Sequence, residues 1–246
     1  MDYASISNRI LEITDLDFEP VAVYLVAPGA SHQGFDGWKH LEHHRYCQAL
    51  MRARKGDRVI LKPSETACPA AASAFGFRPL PDNLASGKGL VGFGIVQTAS
   101  TGKAMFDGMT RLQPGTVEFI AACPLSLAPT LPDVVVVEGA TESLMWLLLS
   151  EVNRTGGRRQ LGSTAVLQAT CVDATVIPQL EQRMNFSLGC YGCREATDLE
   201  PAEAVLGFPG AMLGDVVAAL EQLAEKAVPR SRAKVAYEQM HGSKER

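Results

Sequence analysis

The sequence predicts an α/β protein, with a mixed or parallel sheet covered by helices. Three observations point there. Short apolar runs rich in β-formers, Val21–Val26 and Val134–Val137, are each followed by a helix-like segment that stops at glycine, Gly56 or Gly156-Gly157. Neither run alternates polar with apolar residues, so both read as strands buried on two faces. After the glycine, each half continues as a second strand, a turn, a cysteine (Cys68 or Cys171) and a short helix of small residues.

Taken in order, Ile6, Ile10, Leu11 and Ile13 form a helical stripe that ends before Pro20. The first strand, Val21–Val26, closes at Pro28-Gly29 and leads through a polar loop into a predicted helix from His40 to Lys55. Arg58–Leu61 reads as a short strand, Pro63–Thr66 as a turn, and Cys68 stands just before Pro69 and an alanine-rich helix over Ala70–Ala74. Phe77–Gln97 is rich in glycine and proline and reads as an ordered loop. Thr101–Met109 reads as a helix and Thr116–Ala122 as a strand. In the second half, Val134–Val137 is a strand, Glu142–Asn153 a helix and Gln160–Leu167 strand-like. Cys171 opens a helix through Ile177, broken at Pro178, and Phe186–Leu188 leads into Cys190-Tyr-Gly-Cys193. An amphipathic helix near Ala211–Ala227 presents Val216, Val217, Leu220, Leu223 and Ala224 on one side, and a polar, solvated tail follows Pro229. The whole reads as one domain over 1–246. Its halves, about 17–125 and 126–230, are expected as divergent copies of one βαβα unit sharing a cysteine-lined site, with Cys68 and Cys171 as equivalents.

Composition narrows the function classes. Hydrophobic residues make up 46% and charged residues 20%, ordinary globular usage. The formal charge is −4 and no basic stripe dominates, so a nucleic-acid binder is not expected. The apolar runs Val134–Val137 and Leu144–Leu149 fall far short of a membrane span, and no charged-then-apolar signal opens the chain. The expectation is a cytoplasmic protein in a reducing compartment. There, clustered thiols point to metal binding, redox chemistry or catalysis rather than disulfides.

Six cysteines are present. Cys190 and Cys193 form a C-x-x-C whose sulfurs can approach one metal or cluster, and Gly189 and Gly192 beside them let backbone N–H groups face thiolates. Cys68 precedes a proline, and both Cys68 and Cys171 fall at predicted strand-to-helix junctions. Cys47, in His43-His-Arg-Tyr-Cys47, is a fifth candidate, whereas Cys123 lies among small apolar residues and reads as a core thiol. Three site types compete. Structural zinc usually draws on two short cysteine pairs, and only one exists here. A thioredoxin-like pair leaves Cys68 and Cys171 unexplained. A [4Fe–4S] cluster accepts ligands scattered along the chain and is the leading expectation, with zinc the alternative.

The runs His43–Gly56, Ala67-Cys-Pro-Ala-Ala71, Gln168-Ala-Thr-Cys171 and Leu188-Gly-Cys-Tyr-Gly-Cys-Arg194 resemble a prokaryotic family known as domain of unknown function 169. The resemblance covers roughly Pro20 to Arg232. Members occur mostly in archaea and anaerobic bacteria, which suits an oxygen-sensitive cofactor. The resemblance implies Cys47, Cys68, Cys171 and Cys190 as the ligand set, with Cys193 an extra or substitute thiol. The residues themselves favour Cys193 over Cys47, and the two readings stay open.

Arg194 is the first candidate to clamp an anionic substrate beside the cluster, or equally to neutralise the cluster's charge; Glu195 and Asp173 are candidate proton-moving groups. His43, His44, Arg45 and Asp198 stand nearby, the histidines reading as a solvated helix start and Arg158-Arg159 as a polar turn. No phosphate-cradling, dinucleotide or nucleophile-elbow motif occurs. The leading reading is an iron–sulfur enzyme of anaerobic metabolism acting on a small anion by elimination, sulfur transfer or reduction. The alternatives are a cluster or electron carrier for a partner protein, and a metal-free thiol redox protein. Oligomeric state, a homo-oligomer included, is left open.

Overall fold

Val21–Val26 and Val134–Val137 have no polar face because both strands are buried on both faces, with Leu25 alone partly exposed. They form parts of β1 (Val21–Val26) and β5 (Val134–Ala140), antiparallel neighbours at the centre of the sheet. The computed structural model describes residues 1–242, and 243–246 lie outside the described residues. Around the central pair lie β2 (Lys39–His40), β3 (Val59–Leu61), β4 (Phe119–Pro124), β6 (Asn185–Ser187) and β7 (Glu203–Pro209). The seven strands run in the order β2-β3-β4-β1-β5-β7-β6. The sheet is mixed: β2 and β3 pair in parallel, and every other pairing among the described strands is antiparallel.

The helices are α1 (Tyr3–Thr14), α2 (Tyr46–Arg54), α3 (Pro69–Ala74), α4 (Asp82–Ala85), α5 (Lys88–Gly92), α6 (Ala99–Asp107), α7 (Thr141–Thr155), α8 (Ile177–Glu181), α9 (Tyr191–Ala196), α10 (Leu213–Arg232) and α11 (Val235–Gly242). A π-helix spans Ala169–Val176. Alternate residues of each central strand feed two cores. Val21, Val23, Val134 and Val136 face α2, α3 and the π-helix, while Ala22, Tyr24, Val135 and Val137 face α1, α7 and α10. No helix among the described residues is long and apolar enough to cross a membrane.

Several expectations are corrected. The helix expected from His40 begins only at Tyr46, because Lys39–His40 pairs with β3 and His43 adopts a positive φ of 48°. Phe77–Gln97 is not loop throughout but contains α4 and α5. Gln160–Leu167 forms no strand; the edge strand is β6, and β7 was not expected because Gly207 and Pro209 punctuate it. The helix through Cys171 continues past Pro178 into α8, since a proline in the first turn of a helix forfeits no intrahelical bond. Pro229 lies inside α10 and α11 follows; the segment beyond Pro229 is solvent-exposed as expected, but helical.

The two halves follow the same course, but not with the expected equivalence of cysteines. In the first, the chain runs β1, α2 with Cys47, β3, Cys68 at the cap of α3, then β4. In the second it runs β5, α7 (an added helix), the π-helix with Cys171, α8, β6, Cys190 at the cap of α9, then β7. Topology therefore matches Cys68 with Cys190 and Cys47 with Cys171. The expected match of Cys68 with Cys171 depended on a strand at Gln160–Leu167 that does not form.

Candidate functional site

The π-helix is held close to the sheet by one residue. Gly207 of β7 pairs with both Val136 and Asn185, and a Cβ there would lie 2.6 Å from the carbonyl carbon of Ala174 and closer still to its oxygen. Only glycine admits that approach. From the other side, Tyr46 of α2 shares a 2.9 Å hydroxyl bond with Thr175, and Thr175 donates to the Thr170 carbonyl at 2.7 Å. These contacts fix α2 against the π-helix and bring Cys47 and Cys171 to the same side of the sheet. Single-turn π segments are frequent at functional sites, and this one spans eight residues.

Cys47, Cys68, Cys171, Cys190 and Cys193 all line one small cavity of about 30 Å³. Cys47, Cys171, Cys190 and Cys193 are buried and Cys68 is half-buried. The Cys190 and Cys193 sulfurs lie 3.0 Å apart, the Cys193 N–H donates to the Cys190 sulfur at 3.2 Å, and the Thr170 hydroxyl is 3.1 Å from the Cys193 sulfur. Gly189 holds a φ of 82° at the turn into this pair, and a Cβ on Gly192 would meet Leu167 at 2.9 Å. Cys123, by contrast, faces the opposite core and is fully buried, and burial pushes its thiol up to about 12.

Three of these thiols, Cys171, Cys190 and Cys193, are held neutral. Burial, reinforced by Cys68, Cys193 and Cys190, pushes Cys171 well above the ordinary thiol range. Cys190 is raised first by its bond to Cys193 and then by burial. For Cys193, the bond with Cys190 lowers the thiol, but Cys47 and burial outweigh it and carry it up to about 12. A bound cationic centre would reverse this, since coordination drives thiols to thiolates. The donor set is soft and suits zinc, copper(I) or iron–sulfur centres. Among the described residues no three His, Cys, Asp or Glu side chains have the spacing of one ion's ligand shell. The thiols instead line the walls of a cavity with room for about one water-sized occupant, so a larger group would need those walls to part.

The cation at this cavity is Arg45, not Arg194. Arg45 lines it, donates to the Gly192 carbonyl at 3.0 Å and stands 3.5 Å from Glu195. Arg194 commits its guanidinium to the carbonyls of Leu188, Glu200 and Glu203 at 2.6–3.0 Å, which ties the loop ahead of β7 to the C-x-x-C turn. The sequence carries the signal for Arg45, two residues before Cys47, but nothing there ranks it above an arginine adjoining the C-x-x-C. Asp173 does not reach the cavity either. It is buried and accepts from the Thr164 N–H at 3.0 Å and the Ser163 hydroxyl at 3.2 Å; burial raises it to about 6 against those bonds. With Asn185, which bonds both backbone groups of Gly162, it pins the segment leading to Leu167. Leu167, at a positive φ of 51°, also lines the cavity.

A second, outer cleft of about 400 Å³ shares Arg45, Cys68 and Leu167 with the cysteine cavity, so those three residues form the wall between them. Glu195 lies in this cleft, together with Phe93, Ile95 and Tyr191. His43 is exposed, and His44 bonds the Glu42 carbonyl at 2.6 Å; neither lines the cavity or the cleft. Asp198 pairs with Arg54 and Lys55, and Arg159 bonds Thr155 and the Gly156 carbonyl as a turn residue.

No solved structure matches this chain. The uncharacterised protein MJ0308 of Methanocaldococcus jannaschii is 28% identical over 218 residues, which cover 87% of this chain and 92% of that protein. The family model described as uncharacterised ArCR, domain of unknown function 169, matches residues 9–219, and the chain belongs to that family.

Proposed function

We propose that the chain holds a [4Fe–4S] cluster on thiolates drawn from Cys47, Cys68, Cys171, Cys190 and Cys193, and acts as an enzyme on a small anion. The observation that carries this reading is that five of six cysteines, from four separate chain segments, line one cavity. A cluster with one iron free of protein sulfur supplies a Lewis acid for elimination or sulfur removal, and a fully ligated one supplies electrons. The chain's own groups prepare the place. The Cys193 N–H and the Thr170 hydroxyl lie within bonding distance of sulfur, and Arg45 offsets negative charge at the wall of the cavity. Burial behind an outer cleft supports an enzyme over a carrier, which would expose its cluster to a partner protein. The setting we infer is the reducing, anaerobic cytoplasm, where such thiols stay free.

One observation favours a second reading. The 3.0 Å approach of the Cys190 and Cys193 sulfurs would suit a metal-free redox pair. Against it, both thiols are raised rather than lowered, whereas attacking thiols need thiolate character. Iron, zinc and acid-labile sulfide measured on anaerobically purified protein separate the readings. The expected result is about four irons and four sulfides per chain, reduced by Cys→Ser changes at the cavity positions and untouched by Cys123→Ser. One zinc per chain, or no metal after anaerobic reconstitution, would overturn the cluster.

A further inference from the structure

The outer cleft has a chemistry of its own. Its walls are mainly apolar, with Ile95, Pro69 and Pro81 among them, and the rings of Phe93 and Tyr191 stay 63% and 52% exposed. Exposed aromatic rings on two separate elements at one cleft offer flat apolar surface that nothing in the fold covers. At about 400 Å³ the space suits a small organic molecule rather than a bare inorganic anion. At its inner end stands Arg45. Other arginines around the site are committed: Arg78 to the carbonyls of Pro63 and Thr66, Arg194 to three carbonyls, and Arg54 to the carboxylates of Glu138, Glu203 and Asp198. Arg45 engages one nitrogen, Nη1, and its Nε and Nη2 have no acceptor among the described residues. Beside it, Cys68 is the one cavity thiol that also lines the cleft.

We propose that the outer cleft binds an organic carboxylate with a flat apolar body, its carboxylate on Arg45 and its body between Phe93 and Tyr191, next to Cys68. This deepens the reading of an enzyme for small anions and rests on it only for what happens after binding. Two free guanidinium donors match the fork of a carboxylate. Glu195, 3.5 Å from Arg45, is the competing anion that a bound carboxylate must displace or share with. Its effect therefore has the opposite sign to that of Arg45.

The test uses benzoate, with benzamide and acetate as controls, on the full chain purified without oxygen. Binding is read by calorimetric titration, and Cys68 alkylation by iodoacetamide is read by peptide mass spectrometry on the same full chain stripped of metal, since a metal-bound Cys68 would not be alkylated. Benzoate is expected to bind at least tenfold more tightly than benzamide or acetate, and Arg45→Gln to remove that preference. Phe93→Ala weakens benzoate about threefold to tenfold, and Glu195→Gln tightens it about twofold. Bound benzoate slows labelling of Cys68 and leaves Cys123 unchanged. Equal binding of benzoate and benzamide, weaker binding in Glu195→Gln, or unprotected Cys68 would each overturn the proposal. Should Arg45→Gln not fold, the exposed Glu195→Gln and the labelling decide. Benzoate binding without iron would remove the cluster and keep the cleft; iron without benzoate binding would do the reverse.

Discussion

Replacing Gly207 with alanine tests whether the site depends on the close seat of the π-helix. The added Cβ would stand 2.6 Å from the Ala174 carbonyl carbon and 2.8 Å from its Cα. Ordinary contacts begin near 3.4 Å, so either β7 or the π-helix must shift by about 1 Å or more, and both are backbone rather than a yielding side chain. β7 is pinned on both edges, by β5 and by β6, so the π-helix is the part that moves. Overpacking of this kind costs about 1–3 kcal/mol, and a clash with rigid backbone belongs at the upper end. For a chain of this size that lowers the melting temperature by roughly 6–12 °C. Because Cys171 rides on the same π-helix, iron retention falls with it. Thermal and denaturant unfolding of Gly207→Ala, with iron content on the same samples, provide the measurement. Gly214→Ala is the control: it lies exposed in α10 with nothing within 4 Å of its Cβ, and should be neutral or slightly stabilising. If Gly207→Ala melts with the wild type and keeps its iron, the reasoning about the π-helix seat is wrong.

A second prediction concerns Glu138, buried beside Arg54 with Glu203 and Asp198 around the same guanidinium. Burial raises it from 4.5 to about 7, with Arg54 pulling down and the other two carboxylates pushing up. The folded state then binds its proton more tightly than the unfolded chain, so this group's contribution to stability falls as pH rises from about 4.5 to 7. Glu138→Gln should flatten that slope, read from urea unfolding at several pH values, while the loss of a charge facing buried Arg54 offsets any gain above about pH 7; an unchanged slope would contradict the assignment. Arg194→Ala frees the carbonyls of Leu188, Glu200 and Glu203 and should cost about 1–2 kcal/mol while leaving benzoate binding as it was. A selective loss of benzoate affinity in that variant would restore Arg194 as the substrate clamp.

What the sequence could disclose follows from how local each signal is. Val21–Val26 and Val134–Val137 announce themselves because a strand buried on both faces has no polar positions to hide among. The cysteine set was legible because thiols are few and their neighbours, Pro69, Gly189 and Gly192, are chemically suggestive. Direction of strand pairing was not, since an apolar run looks the same in parallel and antiparallel sheets. β7 was hidden by Gly207, a residue that weakens a strand pattern and is there for a contact with Ala174, remote in sequence. The exchange of Arg194 for Arg45 has the same origin. Adjacency in sequence favoured the arginine next to Cys193, but the turn into β7 points that guanidinium at carbonyls, and α2 delivers the other one from 147 residues away.

The strand order places β1 and β5 at the centre, and they meet over only three residue pairs, Val21–Val23 against Val134–Val136. Cys47 and Cys68 belong to the chain before that seam, and Cys171, Cys190 and Cys193 to the chain after it. The site is therefore a property of the seam and of neither side alone. A nascent chain displays its first two thiols long before their counterparts have been synthesised, and no cofactor can find a full set of ligands until the long-range pairing is made. On the cluster reading proposed above, cofactor capture would fall at the end of folding, and loading would report on whether the chain has closed correctly.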